Sequence, residues 1–61
     1  GNWEILNAVV KAKMTELTPR EAITETYTDF LYYAEYYSGS DKEKMLNSIR
    51  EWVSRNWDKS E

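Results

Sequence analysis

The sequence predicts an all-α protein, a small three-helix bundle completed by homodimerisation. Three observations lead there. Apolar residues recur every three or four positions in three separate segments, and none of these segments alternates with the period of two that a strand requires. Two capping-box patterns and one glycine mark the divisions between the segments. The chain has 61 residues and no cysteine. So small a core gains little net stability by itself, and association is the remaining way to reinforce it.

The first helix is expected over residues 2–15, with a stripe of Trp3, Leu6, Val10 and Met14 widened by Ile5 and Val9. Asn2 is its candidate cap, with Ile5 standing where a capping box would carry Glu. The second helix is expected over 19–38. Thr18-Pro19-Arg20-Glu21 reads as a capping box with proline at the first helical position, where its missing N–H is harmless. Its stripe is Ile23, Tyr27, Phe30, Leu31, Ala34 and Tyr37. The third helix is expected over 41–58. Ser40-Asp41-Lys42-Glu43 repeats the capping pattern, and Gly39 suits the left-handed residue that ends the helix before it. Met45, Leu46, Ile49, Trp52, Val53 and Trp57 form its stripe. Connections this short favour adjacent, antiparallel neighbours within one domain spanning 1–61.

Composition removes whole classes of chemistry. Without histidine the commonest general base is missing, and without cysteine there is no thiolate metal site and no disulfide. The eight basic and eleven acidic residues are dispersed and give a net charge of −3, so no polybasic patch invites nucleic acid or anionic lipid. An aromatic content of 15% opposes disorder. No apolar run approaches the ~18 residues of a membrane span, and no signal-peptide pattern is present. A cytoplasmic protein is the expectation. Acid–base work by paired carboxylates needs them to face each other across a cleft. A bundle this small is expected to leave no room for one, so neither enzyme activity nor a cofactor is expected.

The richest stretch is the octet Phe30-Leu31-Tyr32-Tyr33-Ala34-Glu35-Tyr36-Tyr37. At about 100° per residue, Phe30, Ala34 and Tyr37 point one way and Tyr32 and Tyr36 point nearly opposite, with Tyr33 between. A helix apolar on both sides wants neighbours on both sides. Either helices one and three cover it from different directions, or another chain does. The second reading makes Tyr32, Tyr33 and Tyr36 the contact residues, assisted by Trp3 and Trp57. Tyrosine and tryptophan suit this role because they combine large area with a polar tip. Glu21, Glu25 and Asp29 recur every fourth residue on the same side and form a ridge that is either a solvated face complementing the helix N-terminus or a dock for a basic partner. Spread over two turns of one helix, they make a poor cage for a metal ion. The expected function is a small acidic protein-binding module that self-associates, with a host protein as its other expected partner. Such a module would be a regulator or adaptor of the kind phages and other mobile elements encode.

The alternative is a helix-turn-helix DNA-binding regulator that reads with helix 41–58 through Lys42, Asn47, Arg50 and Arg55. Against it, Asp41, Glu43 and Glu51 are interleaved, and Arg50 and Arg55 point about 140° apart. Leu17-Thr18-Pro19-Arg20-Glu21 looks like the opening of the LuxR-type helix-turn-helix output domain. The likeness ends after five residues, and Ala22-Ile23-Thr24-Glu25-Thr26 departs from that pattern. Shared capping physics accounts for the shared letters, and no family is identified.

Overall fold

Helices α1 (Asn2–Lys13), α2 (Pro19–Ala34) and α3 (Gly39–Lys59) follow one another with short connections. The structure is a computed structural model that describes residues 2–60, the side chain of Asn2 excepted. The expected Asn2 cap therefore lies outside the described residues. Among the described residues there is no strand, and no helix is long and apolar enough to cross a membrane.

Local chemistry explains where the helices start and stop. At the end of α1, the Thr15 hydroxyl donates to the Ala12 carbonyl at 2.9 Å, and the Leu17 amide donates to the Lys13 carbonyl at 3.0 Å. These bonds satisfy carbonyls that a helix end leaves open. The capping box at the start of α2 is complete. The Glu21 amide donates to the Thr18 hydroxyl at 3.4 Å, and the Thr18 amide donates to the Glu21 carboxylate at 3.1 Å. The backbone N–H of Thr18, and then its hydroxyl, hold the Glu21 carboxyl below its usual pKa.

The α2–α3 boundary differs from expectation. Helix α2 ends at Ala34, not at 38. The amides of Glu35, Tyr36 and Tyr37 instead reach carbonyls three residues back, at 3.2, 3.0 and 3.1 Å. That tighter winding unravels the helix end. Ser38 is extended (φ −143°, ψ 164°) and stands at the N-cap of α3 without a side-chain capping bond. Gly39 is left-handed, as expected, with φ +60°. It opens α3 instead of closing α2, which puts Ser40 inside α3. The expected Ser40–Glu43 box is therefore not the start of this helix.

Two indole bonds define how the helices run. Trp3 Nε1 donates to Ser48 Oγ at 3.1 Å, and Trp52 Nε1 donates to Asn7 Oδ1 at 2.8 Å. Both pairs are separated by 45 residues. A common offset means that α1 and α3 run parallel, and α2 packs against both in the opposite sense. The core is Leu6, Ile23 and Trp52, surrounded by Trp3, Val10, Phe30 and Val53. Ala22, Thr26 and Ala34 are buried on α2, on one row of every fourth residue that also contains Phe30. Small side chains on that row allow a neighbouring helix to approach closely. Buried Thr26 satisfies its own hydroxyl by donating to the Ala22 carbonyl at 2.7 Å.

Candidate functional site

The end of the bundle where α1 begins, α2 finishes and α3 starts is open. A groove of about 640 Å³ lies there. Helix α1 contributes Ile5 and Val9 to it, α2 contributes Phe30 and Tyr33, and the segment after α2 contributes Tyr37. Met45 of α3 completes the apolar lining, with Asp29, Asp41 and Lys44 as its charged residues. The expectation that so small a bundle leaves no cleft is therefore corrected. Three helices meeting at unequal lengths do not close over their own ends.

Two of the tyrosines belong to this groove. Tyr33 and Tyr37 line it, and the Phe30 and Tyr33 rings sit 5.7 Å apart at 52°. Tyr32 and Tyr36 do not line it and lie out in solvent. The four are exposed by 70% (Tyr32), 58% (Tyr33), 86% (Tyr36) and 51% (Tyr37), and Ile5 by 57%. With side chains of this size, the five leave on the order of 600 Å² in water.

The acidic ridge is partly committed to the fold. Lys13 of α1 reaches Asp29 at 3.1 Å and Glu25 at 3.5 Å. The hydrogen bond with Asp29, ahead of the contact with Glu25, holds the Lys13 ammonium above its usual pKa. Glu21 serves the capping box. Among the described residues, no group of carboxylates could hold a metal ion.

The two assisting tryptophans are placed differently from the tyrosines. Trp3 packs on the core, bonds Ser48, and carries the Arg55 guanidinium 5.1 Å from its ring centre. Trp57 sits 4.6 Å beneath Arg20, whose Nε donates to Ser60 Oγ at 3.1 Å. Arg20 opens α2 and Tyr33 ends it, so Trp57 and Tyr33 are about 20 Å apart along that helix. The structure does not bring Trp57 together with Tyr32, Tyr33 and Tyr36.

The cations of the DNA-reading alternative are scattered. Arg55 is paired with Glu51 at 3.1 Å, and Lys42 lies 3.8 Å from Glu35. Of the four residues named for that reading, Asn47 and Arg50 are exposed and have no such pairing among the described residues.

Sequence reasoning placed Ile5 and Val9 on the edge of a core stripe and gave Asp41 and Lys44 no place in a site. The available signal was that Ile5 and Val9 form their own four-residue row beside the buried Leu6 and Val10 row. No protein-family model, curated protein or solved structure matches this chain.

Proposed function

We propose that the protein is a protein–protein interaction module that self-associates through its tyrosine-rich end and serves as a small regulator or adaptor. The observation that carries this reading is the exposure of Tyr32, Tyr33, Tyr36 and Tyr37 within six consecutive residues, with Tyr33 and Tyr37 lining an open groove. Burying ~100 Å² on each of three rings contributes roughly 7 kcal/mol. Association costs ~4–15 kcal/mol, so the rings alone make a weak dimer. The groove's Ile5, Phe30 and Met45 supply further apolar area at the same place.

Size exclusion with light scattering tests the reading. The expected mass at micromolar concentration is about twice the 7.3 kDa of one chain. Replacing Tyr32 and Tyr36 together with Ser should return the mass to that of one chain while the circular dichroism stays helical. A wild-type chain that remains monomeric up to millimolar concentration overturns the reading.

A further inference from the structure

We infer that the groove is the seat of the tyrosine ridge of a second copy. In this arrangement two chains pair about a two-fold axis, and each places Tyr32 and Tyr36 in the groove of the other. Asp41 of one chain faces the partner's Lys44. The inference rests on the self-association proposed above and names its geometry.

Three observations support it. The first is the position of knob and hole. Tyr32 projects from the last turn of α2 and Tyr36 from the tighter turn that follows it, and Tyr33 and Tyr37, next to them in sequence, line the groove. A projection and a recess carried by neighbouring residues of one chain are self-complementary under two-fold symmetry when each fills the other's recess. A foreign partner would fill the recess and leave the ridge in water.

The second is charge. Asp41 and Lys44 stand one turn apart at the groove, both exposed, and neither makes an ion pair among the described residues. A partner of one sign satisfies one of them and repels the other. A second copy turned by a two-fold axis offers Lys44 to Asp41 and Asp41 to Lys44, so both are matched twice.

The third is area. On the order of 600 Å² of exposed tyrosine and isoleucine per chain doubles to about 1,200 Å² in a pair, the lower bound of specific interfaces. This size suits a reversible dimer of modest affinity.

Sedimentation equilibrium on the full chain tests the geometry by charge exchange. D41K places two positive charges at each contact, and K44D places two negative ones. Because symmetry repeats each contact, either variant alone should weaken self-association about tenfold or more. An equimolar mixture of D41K and K44D restores opposite charges at both contacts and should associate nearly as tightly as wild type. Both positions are exposed, so the variants should remain helical. I5E, outside α3, supplies a second probe by putting an unmatched charge into the groove, and it should weaken the dimer as well.

A mixture no tighter than its components, with a wild-type dimer that Y32S/Y36S dissociates, overturns this geometry and leaves the self-association reading standing. Wild-type association that I5E does not change overturns it too. A monomeric wild type removes both, including the case where the groove proves to hold a helix from a different protein.

Discussion

The tryptophans and the tyrosines of this chain do opposite things. Each tryptophan is engaged within the fold: Trp52 with Asn7, Trp3 with Ser48 and Arg55, Trp57 with Arg20. The hydroxyls of Tyr32, Tyr33, Tyr36 and Tyr37 make no hydrogen bond among the described residues, and their rings face water. A buried indole N–H needs one acceptor and then contributes its whole area to packing. A phenol keeps its polar tip in water until another surface arrives. Aromatic content that looks uniform in composition thus separates into a part that holds the bundle together and a part left in water.

The strongest way to break that contrast is Trp52→Ala. Truncating a fully buried tryptophan costs about 3–5 kcal/mol, comparable to the whole stability of so small a domain. The expected result in a urea titration is a chain with no folded baseline. A cooperative transition near the wild-type midpoint would place the core elsewhere. Asn7→Leu comes next. It leaves the Trp52 N–H without its 2.8 Å acceptor, and the expected loss is ~1–3 kcal/mol by the same titration.

Acid sensitivity provides a smaller test on the structural side. The Glu21 carboxyl has its folded pKa lowered, chiefly by the backbone N–H of Thr18. Its stabilisation is therefore present above the unfolded carboxyl pKa and is lost as pH falls through the folded value. Thermal melts from pH 6 down to about pH 3 should show a shallower acid decline for Glu21→Gln than for wild type. Parallel curves would mean that the capping box contributes nothing through its charge. The smallest effect belongs to the tyrosine end. In solutions too dilute to associate, Tyr32→Ser with Tyr36→Ser should change the unfolding free energy by no more than ~0.5 kcal/mol. A loss of several times that would make those rings part of the fold.

Much of this architecture was legible from neighbouring residues. The start of α2 needs only Thr18, Pro19 and Glu21, and they act within one turn. The start of α3 was misread because Ser38-Gly39-Ser40 offers two serines as caps, and the left-handed glycine between them selects the first. Thr26 escaped notice because a polar residue carries no apolar signal, even when its hydroxyl is satisfied inside its own helix. The exposure of Tyr32 and Tyr36 followed from their phase against Ile23 and Phe30. The groove did not, because periodicity reports which way a side chain points and says nothing of the space left where three helices of unequal length end.

The shared offset of 45 residues in the two indole bonds has a mechanical consequence. Two pins set four residues apart on each rod stop one rod from sliding or rolling along the other. Residues inserted in the α1–α2 or α2–α3 connection can bulge outward without disturbing this lock. One residue inserted between Ser48 and Trp52 throws the pins out of step, and only one of them can then be kept. Length variation should therefore be tolerated in the loops and forbidden in that turn and in its Trp3–Asn7 counterpart on α1.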